Sequence, residues 1–251
     1  MVNSALYNRF VKGGKPHSGH AIYNLMGGKK GGALANEGSS FLKLLNEKKK
    51  FLIAVFANLI AQLGITYYFM MNYNGDDKKS FLFWGLFIIM MLIIFALALI
   101  PMPTWLKIIL FSIFSTCSGI VLSFMKRTVD SNIIETAIVG TISIFGIMFL
   151  FGAFLIMFGI NLGLQFAAFL FYALLLLIIV QVVVLFSGKS SMFVKTFSVI
   201  GLIIFSLYII YDTNNILQRE YYGDFVTASL DYYLDIINIF VDLLGLIDKG
   251  I

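Results

Sequence analysis

A chain of 251 residues that is 60% hydrophobic and only 12% charged, with a mean hydropathy of +0.93, excludes a soluble globular domain, where roughly a quarter of residues carry charge. Its apolar runs are hydrophobic on every face instead of alternating with period two, which excludes a β-barrel. The fold class is therefore all-α, a polytopic membrane bundle, and the length holds seven spans of about 20 residues with no second domain.

Residues 1–50 come first and read as a basic, glycine-rich tail, with 51–251 as the seven-span bundle. The tail holds Arg9, Lys12, Lys15, Lys29, Lys30, Lys43 and Lys48 to Lys50 against Glu37 and Glu47, with glycine pairs at Gly13-Gly14, Gly27-Gly28 and Gly31-Gly32. It cannot bury enough apolar surface to fold alone, so its first forty residues are expected to be mobile. Its charge reads as a positive-inside signal that places the N-terminus in the cytosol. Without interleaved aromatics it is not a nucleic-acid site. His17 and His20 lack carboxylate or thiol company and are expected to be solvated, not metal ligands. The first apolar run begins only at Phe51, too late for a cleavable signal peptide.

Seven apolar segments follow. The first is Phe51–Met71, left through the turn-forming Asn72-Tyr73-Asn74-Gly75-Asp76-Asp77. The second, Phe81–Ile100, stops at Pro101 and Pro103, and the third, Trp105–Met125, ends at Lys126-Arg127. The fourth runs from Ile133 to Phe158 and the fifth from Leu162 to Phe186, divided by Gly159-Ile160-Asn161-Leu162-Gly163. The sixth is Phe193–Tyr211 and the seventh Phe225–Ile247, which could cross the membrane or dip and return. Gly159 and Gly163 form a GxxxG, and Gly119, Gly140, Gly146, Gly152 and Gly201 recur within spans; close helix packing accounts for all of them. Cys117, the single cysteine, reads as a small buried hydrophobe.

Charge is otherwise kept out of these runs, which makes four carboxylates near the end informative. Asp212 closes the sixth run. Asp231, Asp235 and Asp242 lie in the seventh at i, i+4 and i+11, on one helical face with Asn238 between them. An ionised carboxylate at bilayer depth costs roughly 2.5–3.5 kcal/mol on insertion scales. Such groups line a path or bind an ion. If segments six and seven pack antiparallel, Asp212 and Asp235 come to similar depth. Two carboxylates at close range cannot both ionise cheaply, so they share a proton. Such a pair suits a proton-sensitive latch, a site for a hard cation such as Ca²⁺, or both in competition. Asp231 is a further candidate, while Asp242 and Asp248 are expected to be interfacial.

The same residues carry a resemblance. Tyr211-Asp212-Thr213 with Ile216-Leu217, followed by Tyr233-Leu234-Asp235-Ile236-Ile237-Asn238-Ile239-Phe240, resembles the C-terminal signature of the Bax inhibitor and lifeguard family, the transmembrane Bax-inhibitor-motif proteins. Weaker likeness extends upstream through Phe111-Ser112-Ile113-Phe114-Ser115, Gly119 and Leu122-Ser123, and through Ala137 and Thr141, so that residues 51–247 are covered. The resemblance implies a seven-helix bundle with its last helix central, and a pH-sensitive Ca²⁺ leak. It also implies association with endoplasmic reticulum or Golgi membranes in a eukaryotic cell, or the plasma membrane in a bacterium, and restraint of cell death. Asp212 and Asp235 match the family's aspartate pair, whereas Asp231 and Asp242 stand where relatives more often have neutral residues. An arginine that relatives carry before the proline preceding the third span is missing: Ala98-Leu99-Ile100-Pro101-Met102-Pro103 has no cation until Lys107. Ile100 is the candidate equivalent position, and a closed state would rest on the protonated pair or borrow Lys107.

The reading is a passive, proton-modulated cation leak, with Ca²⁺ the expected ion, coordinated transiently by Asp212 and Asp235. The alternative is a non-conducting membrane protein that acts by binding other membrane proteins. No nucleophile–base pair and no HExxH-type zinc motif appears in any span, so neither an enzyme nor a cofactor is expected. The bilayer is the expected partner, and a monomer the expected state.

Overall fold

The computed structural model describes residues 30–74, 80–126, 129–187, 191–218 and 223–248. They form seven helices: α1 (Lys30–Asn72), α2 (Ser80–Leu99), α3 (Thr104–Lys126), α4 (Ser131–Met157), α5 (Leu164–Ser187), α6 (Ser191–Gln218) and α7 (Phe225–Ile247). Six of these are long and apolar enough to cross a membrane. The seventh, α7, has 23 residues, which at about 1.5 Å per residue also matches the bilayer core. It carries three aspartates, and it is one unbroken helix with no turn at which a dipping segment would reverse.

Each helix falls on an expected segment, with two differences at the ends. Helix α1 begins at Lys30, so Phe51 marks where apolar composition starts, not where helix starts. Strong helix formers explain the extension: Ala33, Leu34, Ala35 and Glu37 open it, and Phe41, Leu44, Leu45 and Lys48 recur at 3–4 residue spacing as its half-buried stripe. The stretch 30–40, expected to be mobile, is thus helical. The same expectation for residues 1–29, with His17 and His20, lies outside the described residues. The second difference is α6, which continues past Tyr211 to Gln218 and places Asp212 inside a helix. Polar side chains carry it on because their partners are internal. Thr213 accepts a hydrogen bond from the Tyr232 hydroxyl at 2.9 Å. Asn214 clamps the α4–α5 loop, donating to Ile160 O and accepting from Leu162 N, both at 2.9 Å.

Helix α7 is the centre. It packs against α6, α1 and α4, with a thinner contact to α3. Helix α2 leans on α3 and α5 on α6, and both present exposed apolar side chains outward, among them Trp84, Leu92 and Phe95 on α2 and Phe169 and Leu176 on α5. Apolar exterior and polar interior is the arrangement that lipid as solvent selects. Two adjacent tyrosines fix the rotation of α7. Tyr232 is fully buried among Phe56, Phe145 and Phe149. Tyr233, equally buried, lies edge-on to Phe111 and Phe114, and its hydroxyl shares a 2.5 Å hydrogen bond with Thr66. Phe replacement of Tyr233 should leave Thr66 bonded to Gln62 O and Ser115 O. The loss is then one net hydrogen bond, about 1 kcal/mol, read as a lowered unfolding temperature in detergent.

The glycines sort into two kinds. A Cβ on Gly119 would stand 2.5 Å from Thr66 O, and one on Gly152 would stand 2.8 Å from Ile210 O, so these two permit close α1–α3 and α4–α6 crossings. Gly159 and Gly163 do not pack at all. They lie in the α4–α5 loop with open space around them, Gly159 at φ +72°, so the GxxxG pattern is a turn and not a helix-packing face. Gly146 likewise meets nothing. Cys117 is buried, as expected of a small hydrophobe.

Candidate functional site

With Tyr232 and Tyr233 so placed, the face of α7 that carries Asp231 and, one turn on, Asp235 comes within reach of Asp212 on α6. Antiparallel packing of α6 on α7 brings Asp212 to the same level. Asp212 is 8% exposed and Asp235 4%, and their carboxyl groups lie within hydrogen-bonding reach of each other. Two ionised carboxylates only accept, so a bond between them requires a proton on the pair. No N–H or hydroxyl donor among the described residues reaches Asp235 Oδ2. What can bridge the two helices here is that shared proton.

Asp231 is half-buried one turn before Asp235 and close enough to act electrostatically on both members of the pair. Tyr208, one turn before Asp212 on α6, is also within electrostatic reach of both, as is Tyr232. Sequence reasoning missed these tyrosines as neighbours of the pair. The i–4 spacing of Tyr208 from Asp212 was the available signal. Asn238, half-buried one turn beyond Asp235, donates its amide N–H to Leu234 O on its own helix at 2.7 Å. Among the described residues no three His, Cys, Asp or Glu side chains gather closely enough to hold a metal ion.

The family model described as inhibitor of apoptosis-promoting Bax1 matches residues 48–250, most of the chain. The chain belongs to that family. Among relatives of this Bax inhibitor family, Bax inhibitor 1 of Schizosaccharomyces pombe is 28% identical over 204 residues, 78% of this chain and 75% of the relative. Protein LIFEGUARD 1 of Arabidopsis thaliana is 37% identical over 81 residues, 32% of this chain and 34% of its own length. An uncharacterised protein of Helicobacter pylori is 38% identical over 78 residues, 31% of this chain and 33% of its own. The matched stretch thus spans about a third of the plant relatives.

Two expectations drawn from the Bax inhibitor resemblance do not hold in the geometry. Ile100 is 55% exposed, and α2 packs on α3, so an arginine there would face away from the aspartates. Nor is Lys107 borrowed by them. It forms an ion pair with Asp224 and also donates to Thr227 at 3.3 Å. Asp224 is the N-cap of α7, accepting from Thr227 N at 3.1 Å. Partial burial works against its charge, but the bonds from Lys107 and Thr227 outweigh it and hold its pKa below the usual carboxylate value. A depressed pKa contributes stability that is present above the unfolded value of about 3.9 and lost as pH falls through the folded one. This cap is therefore constant from about pH 5 to 8 and senses nothing there. Asp224→Ala should destabilise α7 by about 1 kcal/mol, seen as a drop in unfolding temperature at neutral pH that shrinks in strong acid.

Asp242 and Asp248, expected at the membrane interface, are both buried against protein, 8% and 6% exposed. Asp248 is the C-cap of α7. Asp242 lies against α6, where it fills the notch left by Gly201.

Proposed function

We propose that this protein is a proton-modulated passive cation leak, with Ca²⁺ as the permeant ion, and that its place in the Bax inhibitor family ties the leak to restraint of cell death. The observation that carries the reading is the contact of two buried carboxyl groups, one from each of the two most closely packed helices, at the middle of the central helix. With one proton between them they bridge α6 and α7, and the single negative charge that remains is shared by the two carboxyl groups within that bond. When that proton leaves, two like charges about 4 Å apart repel by about 4 kcal/mol at an effective dielectric constant near 20. Separation of the helices or entry of a cation relieves that repulsion. With two carboxyl groups as its protein ligands at the pair, the ion binds weakly enough to leave.

Flux then rises with pH. The protein acts as a monomer in the bilayer, its N-terminus in the cytosol, in endoplasmic reticulum, Golgi or bacterial plasma membrane according to the cell. It has no enzymatic activity and needs no cofactor. The test is Ca²⁺ flux in proteoliposomes across about pH 5–8, against protein-free vesicles. A flux that climbs through this range supports the leak. Absence of flux at every pH with folded protein would leave the non-conducting, partner-binding reading in its place.

A further inference from the structure

Asp242 has no part in the pair, yet its setting is as unusual. It is two turns beyond Asp235 on the same face of α7, roughly 10 Å further along the α6–α7 seam. Its carboxyl occupies the space that a side chain at residue 201 would take, since a Cβ on Gly201 would collide with both carboxyl oxygens. One turn further, Gly245 on α7 makes the same allowance for Ser198 of α6, whose hydroxyl would stand 2.5 Å from a Cβ there. Two glycines on facing helices thus leave room for one carboxyl and one hydroxyl in the same seam.

One oxygen of the Asp242 carboxyl is left without a partner among the described residues. That oxygen, Oδ2, is buried, and no lysine or arginine among the described residues forms an ion pair with the carboxyl. A buried carboxyl oxygen without a donor is destabilising wherever water is excluded. Packing alone would be served better by a leucine in that notch. Such a group is stable when a hydrated cation or its water reaches it along the seam.

We infer that Asp242, with the Ser198 hydroxyl one turn further along the same seam, is a second cation station on the path that begins at Asp212 and Asp235. This rests on the reading of the pair as a cation path, and extends it toward the C-terminal end of α7. A carboxylate and a hydroxyl hold a divalent ion loosely, with water completing its shell. A loosely bound second station lets one ion displace another.

The test uses a hydrophobic carbodiimide, which modifies carboxyl groups reachable within the membrane, read by mass spectrometry of the α7 peptide. The protein is the Asp212→Asn, Asp235→Asn double variant in lipid nanodiscs, so that neither member of the pair competes. Asp242 should be modified, and millimolar Ca²⁺ should slow the modification several-fold. Gly201→Ala, which pushes the carboxyl from its notch, should abolish that protection. No modification of Asp242, or modification that Ca²⁺ leaves unchanged, overturns the inference. A flux arm separates it from the reading beneath it. In an otherwise unaltered protein, Asp242→Asn should lower Ca²⁺ flux several-fold at every pH without moving the pH at which flux rises. Protection without any wild-type flux would keep the station and sink the leak; wild-type flux indifferent to Asp242→Asn would keep the leak and sink the station.

Discussion

Asp235→Asn should hold Ca²⁺ flux low and level from about pH 5 to 8, where the wild type climbs. Asparagine keeps the size of the side chain and supplies an N–H₂ donor that never titrates. It can bond the Asp212 carboxylate across α6 and α7 at every pH, reproducing the protonated bridge permanently. Asp235→Ala makes the complementary case. It removes the bridge and half of the coordinating oxygen, so flux should again be level, but above that of the asparagine variant. The wild-type climb can be no steeper than about tenfold per pH unit for one shared proton. A steeper rise would mean that Asp231 joins the titration. Because the Lys107–Asp224 cap keeps its charge throughout this range, it cannot supply the slope. An asparagine variant that folds and keeps the wild-type pH profile would place the sensor elsewhere.

Much of this site is legible in the amino-acid sequence, because charge in lipid is expensive and therefore conspicuous. Asp212 and Asp235 stand out for that reason, and the short connection between their segments implies antiparallel packing. Helix positions are legible too, since all-round apolar runs admit few alternatives. What composition does not show is where helix continues once hydrophobicity stops. Residues 30–50 are polar but good helix formers, and α6 runs past Asp212 because Thr213 and Asn214 find partners in Tyr232 and the α4–α5 loop. The facing of individual residues is also hidden. Ile100 looks like an arginine's substitute by position, yet α2 leans on α3 and turns that residue outward. The burial of Asp242 is hidden as well, because it depends on the notch at Gly201, forty-one positions away in the chain and directly opposite in space.

Gly152→Ala and Gly146→Ala, two substitutions less than two turns apart on α4, should move stability in opposite directions. At Gly152 the new methyl would lie 2.8 Å from Ile210 O and 2.8 Å from Thr213 Cβ. Both are fixed parts of α6 and neither is the tip of a flexible chain, so the helices must separate. Overpacking of this kind costs about 1–3 kcal/mol. At Gly146 nothing lies within 4 Å, and replacing a mid-helix glycine by alanine recovers up to about 1 kcal/mol of helix propensity. Unfolding temperature in detergent should therefore fall for the first and hold or rise for the second. Gly119→Ala provides the functional contrast. Its methyl would strain α1 against α3 at Thr66 O, a crossing that does not include α6. It should lower stability like Gly152→Ala while leaving the pH at which flux rises in place. Gly152→Ala should shift that pH as well, because Thr213 is both the group it strikes and the residue next to Asp212. If the two glycine variants alter the flux profile alike, the contact of α4 with α6 does not set the geometry of the pair. The α6–α7 seam alone must then hold the two carboxyl groups together.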